Sequence, residues 1–333
     1  MGALGLSHAL NDFIAGALLS ISAATPDANT PLHFTMYSAL AFGMQLPAGL
    51  FADRTQKTKQ LFLLSLVLML TAALTGSIHL TSAILISGCA SALLHTCGGA
   101  LSLQLPFAQG FASGFFSAPG IIGLTLGGLY GQGHLMFTGI LVIVPLITFL
   151  FYKKEEGSTV NTKTESFIPD AHDVFMLLLL LIMTLRSALW DIFHLISNDD
   201  TVLLLGLAFS AASGKIIGGW LSDRTDQIKL LCGNLSIALA LLQFTGKSIY
   251  FLYAGIALLQ STITPAIIIL HKRMKNLPAV ANGLILGTAV AAGGVIYLFE
   301  AEQVFTLLSI TLLSVVTVFY FVMRRRKASA SKS

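Results

Sequence analysis

Charge is what this sequence has least of. Only 10% of its 333 residues are Asp, Glu, Lys or Arg, against roughly 25% in soluble domains, so the chain cannot cover a water-facing surface. Cysteine is scarce as well: Cys89, Cys97 and Cys232 sit inside or at the edge of apolar runs with no CxxC spacing. That excludes a disulfide framework and a zinc site and leaves the three as packing residues. No HExxH occurs, and Ser113 and Ser213 each precede a glycine but lack the glycine two positions earlier that a nucleophile elbow needs. Gly246-Lys247-Ser248 ends like a P-loop, but Leu241 stands where its first glycine belongs. No enzymatic activity, cofactor or metal is therefore expected. Energy for any work must come from an ion gradient or from a solute's own gradient.

What is present is apolar. The residues AVILMFWYC make up 55% of the chain and the mean hydropathy is +0.82. A bilayer crossing takes about 20 apolar residues. Runs bounded by charge, Gly or Pro predict crossings at 4–24, 32–52, 60–79, 82–103, 109–130, 134–152, 173–196, 200–221, 228–245, 248–270, 279–299 and 303–323. Twelve crossings of this length take up about 240 to 265 residues, so the fold class is an all-α integral membrane protein with about twelve transmembrane helices and short connections. The opening MGALGLSHALNDF has no basic n-region and carries polar residues where a signal peptide is apolar, so the first segment is expected to be retained.

Basic residues set the orientation. The net charge is +4 and the pI about 9.0, but the positive charges cap apolar runs and do not form a nucleic-acid patch. With the N-terminus inside, Arg54, Lys57, Lys59, Lys153, Lys154, Lys163, Arg224, Lys229, Lys272, Arg273, Lys275, Arg324, Arg325, Arg326, Lys327 and Lys332 are cytoplasmic, which is 16 of the 19 Lys and Arg. The outer side holds Lys247 with the acidic Asp27, Asp199, Asp200, Glu300 and Glu302. One miscounted span would destroy this asymmetry, so both termini are expected in the cytoplasm. Segment 153–172, KKEEGSTVNTKTESFIPDAH, is the one long polar run and reads as a flexible linker. It divides the chain into six-span bundles at 1–152 and 173–323, followed by a basic tail at 324–333.

The halves repeat. A shift of 170 residues lays Gly49-Leu-Phe-Ala-Asp53-Arg54-Thr55 on Gly219-Trp-Leu-Ser-Asp223-Arg224-Thr225 and Lys59 on Lys229. Each copy falls between the second and third span of its half. Here the sequence resembles the major facilitator superfamily, whose signature in this loop is G-x-x-x-D-R-x-G-R-[RK]. Gly, Asp and Arg match in both copies, whereas Gln56 and Asp226 replace the second Gly, and Lys57 and Gln227 the following Arg. The resemblance implies two pseudo-symmetric bundles that rock about a midplane cavity, with Gly49, Asp53, Arg54, Gly219, Asp223 and Arg224 as cytoplasmic gate motifs. Gly permits close helix approach, and an Asp beside a helix end can bond orphan backbone groups. Lys57, Lys59 and Lys229 read as ordinary interfacial charges. The implied setting is a multi-pass protein of a bacterial inner or plasma membrane, working as a monomer.

Ionisable groups inside a bilayer are costly and mark pathways. They are His8 and Asp12 in span 1, His95 in span 4, Arg186, Asp191 and His194 in span 7, and Lys215 in span 8, while spans 3, 6, 9 and 12 carry none. The resemblance implies that spans 1, 4, 7 and 10 line the cavity. His8, Asn11 and Asp12 share one helix face, and Asp12 with His8 is expected to take up the coupling proton unless a basic partner pairs Asp12 permanently. Arg186 must meet an anion, namely Asp12, Asp191 or a group of the substrate, because arginine keeps its proton. Arg186, Trp190 and His194 recur every fourth residue, so Trp190 is placed to stack on a solute ring or to pack. Asn11, His95, Arg186, Trp190, Asp191, His194 and Lys215 are the candidate substrate-cavity residues. For Lys215 the alternative is a side chain snorkelling to the cytoplasmic interface, and for His95 it is a satisfied core histidine. Gln45, Gln260 and Asn282 are weaker cavity candidates. The glycines of span 5, with Ala118-Pro119-Gly120, are read as a close-packing surface.

The expected function is proton-coupled secondary transport of a small organic solute by alternating access, with efflux favoured. Its partners are that solute, protons or another coupling ion, and the lipid bilayer. The alternatives are an uptake carrier or uniporter for an organic anion bound by Arg186, or a non-transporting receptor or sensor on the same fold.

Overall fold

The structure is a computed structural model that describes residues 1–24, 30–151, 173–197, 200–274, 276–294 and 301–330. Among these residues all regular structure is helical, as expected where lipid offers no partner to a backbone amide and each segment must satisfy its own. The rods in chain order are α1 (Gly2–Ala24), α2 (30–55), α3 (Thr58–Thr75), α4 (Leu80–Leu103), α5 (Gln109–Tyr130), α6 (Leu135–Phe151), α7 (Asp173–Ile196), α8 (Thr201–Ser222), α9 (Gln227–Leu242), α10 (Ile249–Arg273), α11 (Pro278–Gly293) and α12 (Ala301–Ala330). Eight of them, α1, α3, α4, α5, α7, α8, α10 and α12, are long and apolar enough to cross a membrane. The rods α6, α9 and α11 are apolar but shorter. α2 is interrupted by a π-helical stretch at Ala39–Gly43.

Most rods coincide with the expected crossings to within a few residues. The end of the eleventh expected crossing, the linker 153–172 and residues 331–333 lie outside the described residues. One boundary is corrected: α12 continues through Ala330, so residues 324–330 of the expected tail prolong the helix, because the basic run contains no Gly or Pro to stop it.

Polar residues fix the helix ends. Asp200 caps α8 by accepting from Val202 N–H and Leu203 N–H at 2.9 and 3.0 Å. Asp226, which replaces the motif's second Gly, caps α9 through Ile228 and Lys229 at 3.0 and 3.1 Å. Its counterpart Gln56 ends α2 at φ 57°, the left-handed region that glycine enters freely. Both departures from the family motif therefore keep a turn of the required geometry by other means.

Buried apolar side chains fall into two clusters. One is built from α1 to α6 with Ala279, and the other from α7 to α12 with Leu103. α12 buries only 22% of its apolar window, against 78% for α10, which puts α12 at the periphery and α10 at the centre. Inside the first half, α1 and α5 cross at backbone contact. A Cβ on Gly16 would meet Leu124 O, one on Gly123 would meet Ala9 O, and one on Gly127 would meet Phe13 O. Overpacking of this kind costs on the order of 1–3 kcal/mol. Gly123→Ala is therefore expected to lower the melting temperature of the purified protein, and an unchanged value would show that the α1–α5 crossing is looser than described.

Candidate functional site

Two features stand out in the described residues: a buried polar centre at mid-depth, and a pair of carboxylates that join the halves at the basic end of the bundle.

The polar centre is built on α1, α4 and α5. His8 and Asp12 are one helical turn apart on α1, with His8 Nε2 3.2 Å from Asp12 Oδ2. His95 reaches them from the π-helical turn Leu94–Gly98 of α4, a local widening often found at functional sites. Its Nε2 lies 3.0 Å from His8 Nε2 and 3.9 Å from Asp12 Oδ1. Asn11 donates from Nδ2 to Asp12 Oδ1 at 2.8 Å and to Ser91 Oγ at 3.2 Å, and Tyr37 O–H reaches the same Ser91 Oγ at 3.5 Å. Gly120 on α5 makes room for the group, since a Cβ there would collide with His8 and with Asp12 Oδ2.

The hydrogen-bond geometry constrains where protons sit. His8 Nδ1 is 2.8 Å from Phe116 O, and His95 Nδ1 is 2.7 Å from Ser91 O. A carbonyl only accepts, so both Nδ1 atoms carry hydrogen. If both rings were neutral, two Nε2 lone pairs would face each other at 3.0 Å. One added proton turns that repulsion into an N–H···N bond and makes one ring an imidazolium, with Asp12 as its counter-ion. The ligand atoms of His8, Asp12 and His95 lie within 4.8 Å of one another, a grouping that suits a metal ion as well. Two imidazoles on a tetrahedral ion with bonds of about 2.0 Å stand about 3.3 Å apart. The observed 3.0 Å separation is that of a hydrogen bond.

Two carbonyls of α5 serve this centre: Phe116 O takes His8 and Ser117 O takes Lys215 Nζ at 3.0 Å. Lys215 belongs to α8 of the other half, so its ammonium crosses the interface toward the centre and does not snorkel. Its charged neighbours are Arg186 and Asp12.

Arg186 on α7 is 3% exposed. Its Nε donates to Leu259 O at 3.3 Å, and its Nη2 has no hydrogen-bond partner among the described residues. The anion beside it is Asp191. Asp12, the other carboxylate expected as its partner, is taken up by the histidines. The Trp190 and His194 rings lie 5.9 Å apart between centroids and are tilted by 41°. Gln45, Gln260 and Asn282 are all buried, and Asn282 lies against Gly99. The sequence placed His95 among cavity residues. What it did not reveal is that Ser91, Tyr37 and the carbonyls of Phe116 and Ser117 complete the network. An i, i+4 Ser-to-His spacing on span 4 was the available signal.

At the basic end, Asp53 accepts from Ala279 N–H at 3.2 Å and Val280 N–H at 2.9 Å, the first turn of α11. Asp223 accepts from Gly110 N–H at 2.8 Å and Phe111 N–H at 2.7 Å, the first turn of α5. Each carboxylate thus caps a helix of the opposite half, using orphan donors and the positive end of the dipole. The motif glycines allow it: a Cβ on Gly49 would lie 2.7 Å from Ala279 O, and one on Gly219 would meet Gly110 O. Arg54 is exposed, and Arg224 covers the Trp220 ring at 4.2 Å while donating to Trp220 O.

No protein-family model and no curated protein matches the chain. Solved structures do. The E. coli fucose:proton symporter FucP aligns over 96% of this chain and 97% of its own, with a TM-score of 0.73 and 13% identity. A second structure of FucP, described as a major facilitator superfamily transporter in the outward conformation, aligns over 96% and 98% with a TM-score of 0.70 and 14% identity. The chain has the major facilitator superfamily fold. It is a multi-pass membrane protein whose two six-rod halves meet along α2–α11 and α5–α8. The repeated loop motif, the glycines at the crossings and the two carboxylate caps lie together at this interface.

Asp53 lies beyond the expected end of its span, and burial, outweighing the two amide donors, pushes its carboxyl up to about 6. A group that binds its proton more tightly when buried favours the buried arrangement as pH falls. Acidifying the medium through pH 6 is therefore expected to favour the capped state. Spin labels on the basic ends of α2 and α11 should draw together between pH 7 and pH 5, and Asp53→Asn should abolish that response.

Proposed function

We propose that the chain is a proton-coupled secondary transporter that carries a small organic solute by alternating access, with twelve crossings, both termini cytoplasmic and the halves divided by 153–172. The observation that carries this reading is the His8–His95 contact. Two Nε2 atoms at 3.0 Å, with both Nδ1 atoms committed to carbonyls, hold one proton, and Asp12 supplies its counter-charge. The proton lies between helices of one half, so a rocking motion that alters which side reaches α1 and α4 loads it on one face and releases it on the other.

The carboxylate caps support a state closed at the cytoplasmic face, with Asp53 and Asp223 as latches. Buried polar atoms without partners support a solute site at the centre: Asn11 Oδ1 on α1, Gln45 Oε1 on α2, Thr264 Oγ1 on α10 and Asn282 Oδ1 on α11. Buried polar groups are normally bonded, and these four are the atoms a solute would complete if the halves part around it. The chemistry of the similar fucose:proton symporter agrees with proton coupling. The sequence favours efflux, and the orientation of an imposed gradient decides direction.

The test is transport in proteoliposomes. A pH gradient should drive a solute against its own gradient and should dissipate as it does so. Flux that ignores the pH gradient would remove proton coupling and leave a uniporter.

A further inference from the structure

We propose that the cargo is an organic anion whose oxyanion group, a carboxylate or phospho group, is held by Arg186 Nη2 with Lys215 beside it. The inference deepens the transporter reading and rests on it for the word cargo.

The argument is one of charge. Asp12 neighbours Lys215 as well, but with a proton on the His8–His95 pair its single negative charge is balanced there. In the second half, two cations, Arg186 and Lys215, are electrostatic neighbours, and the carboxylate beside Arg186 is Asp191. Lys215 Nζ is met by a neutral carbonyl, Ser117 O, at 3.0 Å. Arg186 has a carbonyl at its Nε and nothing at Nη2. Two cations with one carboxylate beside them leave one positive charge uncompensated, which out of water costs several kcal/mol, and the bare Nη2 of the buried Arg186 is where an anion meets it. Guanidinium forks match oxyanions in geometry as well as charge. The site is also well placed. Lys215 donates into the same turn of α5 that accepts from His8, so an anion beside Lys215 lies next to the proton site, and its binding is sensed by both halves.

Equilibrium binding tests the idea without any gradient. The purified full chain is screened by thermal shift with matched probes: benzoate against benzamide, phenylphosphonate against benzyl alcohol, and citrate and inorganic phosphate alone. At least one anion should raise the melting temperature while its neutral partner does not. Arg186→Gln should remove that rise, Arg186→Lys should weaken binding about tenfold through loss of the fork, and Lys215→Gln should weaken it too. The proposal is overturned if neutral partners stabilise equally, if no anion shifts the melting temperature, or if Arg186→Gln keeps the full shift. If Arg186→Gln does not fold, the Arg186→Lys and Lys215→Gln affinities decide. Failure of proton coupling in liposomes leaves this binding result intact, and failure of anion binding leaves coupling intact, so the two readings are separable.

Discussion

Asp12→Asn is expected to abolish accumulation of solute driven by a pH gradient, cutting the initial rate by about two orders of magnitude or more while leaving solute exchange at equal pH measurable. The reason is the buried proton. With both Nδ1 atoms bonded to carbonyls, the pair gains its proton only by becoming an imidazolium, and Asp12 at 3.2 Å from His8 Nε2 is the anion that makes this affordable. Removing one partner of a buried ion pair costs about 3–5 kcal/mol, which at 1.4 kcal/mol per factor of ten lowers proton occupancy by two to three orders of magnitude. Asparagine preserves shape and the Asn11 contact, so the loss is one of charge. His95→Asn should have a comparable effect through a different route, since His8 would then lack the nitrogen that shares its proton. If Asp12→Asn retains gradient-driven accumulation, the coupling proton sits elsewhere.

How much of this was legible in the sequence follows from which interactions are local. Helix positions were, because hydropathy over 20 residues is a local property, and so was the repeated motif, because Gly49 and Asp53 recur as Gly219 and Asp223 at a fixed shift. The partners of its carboxylates were not. Nothing in the motif says that Asp53 caps α11, 226 residues away in sequence, and the signal is only that α11 opens with Pro278 and a row of small residues. Within the centre, helical spacing put His8, Asn11 and Asp12 on one face, but the decisive contact joins residues 87 apart. Sequence offered His95 two readings, cavity residue or satisfied core histidine, and the structure shows it buried and bonded to His8 and Ser91. Arg186 was expected to meet an anion, and Asp191 is its charged neighbour. That Asp12 was already engaged could be seen only once the histidines were placed around it.

Gly219→Val is expected to hold the protein open at its basic end and stop transport, without unfolding either half. At the α5–α8 crossing a Cβ on Gly110 would lie 2.5 Å from Gly219 O and one on Gly114 would lie 2.5 Å from Lys215 O, while a Cβ on Gly219 would collide with Gly110 O in return. Backbone cannot swing aside as a side chain does, so the clash is relieved only by parting the helices. Parting them also breaks the Asp223 bonds to Gly110 and Phe111. Both effects penalise the closed state and neither touches a state in which these helices are already apart. A penalty of about 3 kcal/mol shifts a two-state equilibrium roughly 150-fold, and about 5.5 kcal/mol reverses one from 99:1 to 1:99. The measurement is labelling by a membrane-impermeant maleimide of a cysteine placed at Ser102, buried on α4 toward that end, in a background lacking Cys89, Cys97 and Cys232. Gly219→Val should raise the labelling rate more than tenfold from the cytoplasmic side. Gly123→Val is the control, since its clash with Ala9 O lies within one half; it should lower stability while leaving accessibility at Ser102 unchanged. Equal labelling in Gly219→Val and wild type would mean that the α5–α8 contact does not govern closure, and the Asp53 cap on α11 would then hold the face shut alone.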